Sequence, residues 1–293
     1  MTRTSPLGNR TSTVLGRRLG GELLRLRDAA GKTQRQAGDA INASNSKIVK
    51  MEQGWVPMRD PDIRALCVFY DVADHEASRL LDLARLDRER RRARGWWQHS
   101  PHPGTLSEYL ALEDAANRVR TWQLSLVPGL FQTAEYARSL AVSEGAGVWE
   151  DPDDIERLVE IRMRRQNRLH EERPLHVYAL VWEAALRQLV GGADTMRAQL
   201  EHLLEVAKLP HVRLQVLPFR AGGHPCIPGS FSIISFAEAE AVDVVHADTI
   251  ASTVWVENAG ESVTYSKFFE RTARLSLAQR DSVLLIDAIR QEI

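Results

Sequence analysis

Cysteine is scarce: Cys67 and Cys226 are the two in 293 residues. They stand far apart, so neither a disulfide framework nor a zinc-ribbon spacing exists. Free thiols in a cytoplasmic protein are the expectation. Long apolar runs are missing too. None approaches the roughly 18 residues that a membrane span needs, so no membrane partner is expected. The opening MTRTSPLGNRTSTV lacks the apolar middle of a signal peptide and reads as a flexible arm over residues 1–14. There is no phosphate-binding glycine loop, no HExxH and no GxSxG. Ser, His and Asp occur in no arrangement that points to catalysis, so no enzyme is expected and no cofactor is implied.

The chain is long enough for two domains. Its formal net charge is −1, but the charge is unevenly spread. Residues 1–96 carry 19 Lys and Arg against 12 Asp and Glu, whereas residues 97–293 carry 19 against 27. A basic segment on an acidic body fits nucleic acid at one end and a different task at the other.

Residues 33–54 read TQRQAGDAINASNSKIVKMEQG. Thr33 can cap a first short helix, because its hydroxyl can accept a backbone N–H. Ala37 and Ile41 fall four apart on one face, and Gly38 is small where a second helix passes close. Asn42 stands where the chain turns sharply and tolerates a left-handed backbone. Ser44 can cap the second helix, whose inward stripe is Ile48 and Met51. Asn45, Ser46, Lys47, Val49 and Lys50 are left for the outer face, and Gly54 ends the helix. A helix-turn-helix places such a face in the DNA major groove.

This stretch resembles the Xre-type (phage repressor-like) family, whose pattern runs through Thr33, Gln34, Ser44, Ile48, Glu52 and Gly54. Ala37 replaces a larger aliphatic residue and Asn42 replaces the usual Gly. The flanking sequence predicts a helix with Leu15, Leu19, Leu23 and Leu26 inward. A second follows with Ile63, Leu66, Phe69 and Tyr70, and a third runs from Glu76 to Arg94. The resemblance thus implies a five-helix head over 15–90, with an α+β domain over 91–293. The charged run RLDRERRRARG at 85–95 leads into Trp96 and Trp97. It reads either as a solvated helix end or as an extra phosphate contact.

The fold class expected is an all-α N-terminal helix-turn-helix domain followed by an α+β C-terminal domain with a small sheet. Helix is expected around Tyr109 and Leu110. Val127-Pro128-Gly129 breaks the chain before a helix starting near Gln132 or Thr133, and an Arg-rich helix covers 153–171. Strands are expected at 175–183, 212–219, 230–236, 241–248 and 252–257. Helices are expected at 195–208, 261–276 and 277–291. The strings LVPGLFQTAEYARSL, IRMRRQNRL, VYALVWEAALR and GSFSIISF together resemble the uncharacterised C-terminal domain that follows an Xre-type head in many actinomycete developmental regulators. The match is poorest where Val245, His246 and Asp248 replace an acidic, tyrosine-bearing strand pair. The resemblance implies regulation, often beside a small partner protein, and no known ligand.

Candidate DNA-reading residues are Asn45, Ser46 and Lys50, because Asn pairs with adenine and Lys donates to guanine. Lys47 can serve base or phosphate, Ser44 caps the helix at the groove, and Gln34 suits a phosphate clamp. Arg17, Arg18, Arg25, Arg27 and Arg35 are further phosphate candidates, and Glu52 reads as structural. Arg162, Arg164, Arg165 and Arg168 form either an anion pocket or partner surface, or ion pairs with Glu156, Glu160, Glu171 and Glu172. His224 and Cys226 with His246 and Asp248 are the one set resembling metal ligands, but the spacing fits no tight zinc pattern, and no metal is assigned. Trp122, Trp182 and Trp255 line a ligand cavity or belong to the core. Trp182, His224 and Trp255 are the candidate ligand set. Val127, Phe131 and Tyr136 are core or a groove for a partner.

The expected function is a cytoplasmic, DNA-bound (hence nucleoid-associated) transcriptional regulator acting on double-stranded DNA as a homodimer. Its second domain dimerises it or senses a small partner protein or small-molecule ligand. The alternative is a protein-interaction module in which DNA binding is secondary.

Overall fold

A computed structural model describes residues 13–92, 104–144, 152–237, 242–249 and 252–293. The chain divides into two compact units, Met1–Gln98 and His99–Ile293. Most of the expected arm, and residues 93–97 with both tryptophans, lie outside the described residues.

The first unit is helical: α1 (Val14–Ala29), α2 (Gln34–Ala40), α3 (Asn45–Glu52), α4 (Asp60–Phe69) and α5 (Asp74–Arg92). Each of the first three starts on a hydroxyl cap. Thr13 accepts from the Gly16 N–H, Thr33 forms a reciprocal capping box with Gln36, and Ser44 accepts from the Lys47 N–H. Such caps satisfy donors that the helix cannot pair internally, at about 1 kcal/mol each. The apolar stripes meet in one core of Leu19, Leu23, Leu26, Ile48, Met51, Ile63, Leu66 and Leu80. Each such side chain contributes about 1.5–3 kcal/mol by leaving water.

Two positions set how closely α1, α2 and α3 approach. Asn42 takes the left-handed backbone, φ 51°, that reverses the chain between α2 and α3. A Cβ on Gly20 would stand 2.4 Å from the carbonyl oxygens of both Met51 and Glu52, so α1 and α3 touch backbone to backbone there.

The second unit is built on a six-stranded sheet in the order β3-β2-β1-β4-β5-β6. The strands are β1 (Arg118–Gln123), β2 (His176–Trp182), β3 (Val212–Leu217), β4 (Phe231–Ser235), β5 (Val244–Asp248) and β6 (Thr253–Val256). β1, β2 and β3 run parallel, and the remaining pairings are antiparallel. The helices are α6 (Gly104–Ala115), α7 (Ala134–Glu144), α8 (Pro152–Arg165), α9 (Glu183–Arg187), α10 (Ala193–Val206), α11 (Ala259–Leu275) and α12 (Gln279–Glu292).

Alternation along the strands gives the sheet two faces. One carries Trp122, Leu180, Leu217, Phe231, Ile233, Val245 and Val256 and packs under α11 through Phe269 and Tyr265. The other carries Thr121, Ser232 and His246 and lies under α6 and the crossover helices α7, α8 and α10. The outer edge of β3 is closed by the α11–α12 joint. There the Val216 N–H donates to Ser282 Oγ and the Leu277 N–H to the Val216 carbonyl, each at 2.9 Å. This removes an edge open to strand addition.

The central strand β1 was missing from the sequence expectation. RVRTWQ is short and carries two arginines on one face. Its burial comes from neighbours on both sides, which no local pattern records. The Arg-rich helix ends at Arg165, and a 3-10 turn, Gln166–Leu169, follows.

Candidate functional site

In the head, α3 presents Asn45 and Ser46 fully to solvent, with Lys50 half-buried beside them. Ser44 Oγ is occupied by the cap at 3.3 Å from the Lys47 N–H. Lys47 is braced: its Nζ donates to Asp62 Oδ2 at 2.8 Å. Burial pushes the Asp62 carboxyl up, but Lys47 and Arg59 outweigh it and hold it below the usual carboxylate range. Gln34 is braced too, its amide donating to Glu52 Oε2 at 2.7 Å.

Glu52 closes the base of the motif. Arg27 Nε donates to Glu52 Oε1 at 2.6 Å, and both side chains are nearly buried. That bond with Glu52 holds the Arg27 cation above its ordinary value. Burial, with Glu52 nearby, pushes the Tyr70 phenol up to about 12. Arg27 is therefore structural and offers no phosphate contact. Arg25 pairs with Glu22 and Glu76, while Arg35 is exposed.

In the described part of the charged run, Arg85 and Glu89 are exposed, whereas Asp87, Arg88 and Arg91 are tied into the head. Asp87 is buried and accepts from Arg91 Nε at 2.7 Å, while Arg91 Nη2 donates to the Gly54 carbonyl at 2.7 Å. Arg88 reaches the Met58 carbonyl and Asp60. Residues 93–95 lie outside the described residues.

The second unit holds a cleft of about 290 Å³ on the α6 side of the sheet. Its floor is Gln123, Ser232, His246 and Asp248, and its walls are Tyr109, Arg162, Arg165 and the Val127–Gln132 turn. His246 lies between the rings of Tyr109 and Trp255, each 4.6 Å away, and its Nε2 is 3.3 Å from Asp248 Oδ1. Burial raises the Asp248 carboxyl, yet His246 and Thr253 outweigh it and leave it lowered. Arg165 makes a bidentate pair with Glu113, 2.7 Å on each arm, and lies 5.1 Å over the Tyr109 ring. Burial works against the Arg165 cation, and Glu113 more than restores it. Burial also keeps Tyr109 protonated, well above the usual phenol range.

The structure separates residues that the sequence groups together. The metal-like set is split: His246 and Asp248 sit on the α6 side, whereas His224 packs against Trp122 at 5.0 Å on the α11 side. Among the described residues no group of three His, Cys, Asp or Glu side chains could hold a metal ion. The ligand set is split in the same way. Trp182 and His224 lie together, ring centroids 6.5 Å apart, while Trp255 stacks on His246 across the sheet. Trp122 is core, its Nε1 donating to the Cys226 carbonyl at 3.0 Å.

The proposed partner groove is also core. Phe131 and Tyr136 are 0% exposed and Val127 is 1%. Tyr136 Oη accepts from the Val127 N–H at 3.2 Å, and Gln199 donates to the Phe131 carbonyl at 2.7 Å. These bonds hold Val127, Phe131 and Tyr136 in the core rather than in a partner groove. Two of the α8 arginines reach other elements, Arg165 to Glu113 and Arg162 to Gln132 at 2.7 Å, while Arg157 pairs with Asp154 along the helix. Arg168, in the turn after α8, does find Glu171 and adds the Ala116 carbonyl. The sequence gives no sign that Tyr109 and Gln123 line one cleft, or that Glu113 backs it through Arg165, because β1 carries no local signal.

The family described as Domain of unknown function (DUF5753) matches residues 106–288, more than half of the chain. A second family, described as Helix-turn-helix domain, matches residues 18–80. No curated protein and no solved structure matches the chain. No helix among the described residues is long and apolar enough to cross a membrane.

Proposed function

The chain belongs to the DUF5753 family and carries a helix-turn-helix domain before it, and from this we propose a sequence-specific DNA-binding transcriptional regulator of the Xre type, acting in the cytoplasm on the nucleoid, in an actinomycete setting. The observation that carries the reading is α3. It offers Asn45, Ser46 and Lys50 on one outward face, while Ile48 and Met51 anchor the opposite face in the head core. Asn45 and Lys50 read base edges, and Lys47 and Gln34 sit by the phosphates. A single small head of this kind rarely gives tight specific binding, so two copies act on a roughly palindromic site. The second unit then dimerises the chain or senses a signal, with the cleft between Tyr109, Arg165 and His246 as the ligand site.

The test is a binding titration of Asn45→Ala and Lys50→Ala against a selected duplex and a random one. Each variant is expected to lose about tenfold or more on the selected site, corresponding to roughly 1–3 kcal/mol per base contact, with little change on random DNA. Equal loss on both duplexes would falsify the base-reading assignment.

A further inference from the structure

A second cleft, of about 480 Å³, opens on the α11 side of the sheet where the three parallel strands begin. Strand register builds it. Arg118 of β1 stands beside His176 of β2, and the His176 ring lies 6.3 Å from that of His211, just before β3. One step along, Arg120 of β1 stands beside Tyr178 of β2, which stands beside Arg213 of β3. The Arg213 guanidinium lies 4.4 Å over the Tyr178 ring. Two rows of cationic and imidazole side chains thus cross three adjacent strands.

No carboxylate lines the cleft among the described residues. Some of its charge is met from nearby: Arg120 pairs with Asp243 at 2.6 Å and Lys208 with Glu205 at 2.7 Å. Arg118 and Arg213 have no such partner among the described residues, and both are exposed. The concentration is also local, since residues 97–293 carry an excess of eight acidic groups. Two buried nitrogens of residues lining the cleft, Arg120 Nε and His211 Nε2, have no hydrogen-bond partner among the described residues. Buried polar atoms are almost always bonded, and the Arg120 Nε–H, which can only donate, calls for an acceptor brought from outside.

We propose that this cleft binds a small phosphate-bearing ligand, a phosphate or diphosphate ester. Arg118 and Arg213 rise from strands two spacings apart, about 10 Å at the backbone. Their long side chains converge on one compact anion, and the guanidinium fork matches phosphate oxygens. Arg120 supplies a further donor. The concavity and the acidic surroundings favour a small anion over a duplex, whose extended charge the rest of the unit repels. The proposal does not depend on the role of the head.

The experiment is calorimetric titration of the full-length chain with inorganic pyrophosphate, using sulfate as the control anion. Saturable one-to-one binding is expected, weakened at least tenfold by Arg118→Ala or Arg213→Ala and lost in the double variant. Arg118→Lys should recover part of the affinity, and both arginines are exposed enough for the variants to keep the parent melting temperature. Three results overturn the proposal: no saturable pyrophosphate binding, binding undiminished in the double variant, or sulfate bound equally well. If pyrophosphate fails and the double variant instead weakens duplex binding, the cleft is a DNA contact and the proposal is rejected.

Discussion

Lys47 on the recognition helix holds Asp62 on α4 at 2.8 Å, and Arg59 holds the other carboxylate oxygen at 3.4 Å. One of the cations nearest the proposed DNA surface is therefore also a brace within the head. Because Asp62 is held below the usual carboxylate range when folded, its stabilisation is present above about pH 4. It fades as pH falls through the folded value. Asp62→Asn is expected to be less stable at pH 7 by about 1–3 kcal/mol and to show a shallower loss between pH 5 and pH 2. Urea midpoints at several pH values decide it, and parallel curves for both proteins would count against the brace.

Asn42 carries a left-handed backbone without being glycine. Asn42→Gly removes that cost and is expected to stabilise the head by about 0.5–1 kcal/mol. Asn42→Val is expected to destabilise it by about 1–2 kcal/mol. Chemical denaturation of the two variants tests the pair, and the same sign for both would contradict the turn geometry.

Glu113 and Arg165 form a pair that is almost wholly out of water. Removing one partner strands the other, so Glu113→Gln is expected to cost about 3–5 kcal/mol. Thermal unfolding of the full-length chain reads this directly. A loss below 1 kcal/mol would mean that the pair is hydrated in solution.

Cys67 and Cys226 are both buried, and burial raises both thiols above their ordinary value. Neither is expected to react measurably with an aromatic disulfide reagent at pH 8 in the native state, with two equivalents appearing on denaturation. Rapid native labelling of either would reveal local opening around it.

Much of the head is legible in sequence because its signals are local. Thr33, Ser44, Asn42 and Gly54 act within a few residues of themselves, and the leucine stripe of α1 follows helical spacing. The second unit is different. β1 is defined by strands that come 58 and 117 residues later, pairing Arg118 with His176 and with Ser235. Without it, the sides on which Trp182, His224 and Trp255 fall cannot be assigned, and residues on opposite faces look like one set. The inward fate of Phe131 and Tyr136 likewise depends on Gln199, far along the chain. The pairing of Arg165 with Glu113 shows the same limit, since acids on the helix itself look closer in sequence.

Asp87 accepts from Thr13 at the start of α1 and from Arg91 one turn along α5, and Arg91 in turn reaches the carbonyl of Gly54 at the end of the recognition helix. α5 is thus a lever bolted to α3 rather than a passive closing helix. Pulling or twisting it from beyond Arg92 must either carry the end of the recognition helix along or break the bond at Gly54. Strain arriving along α5 reaches the start of α1 through Thr13 and the end of α3 through Gly54.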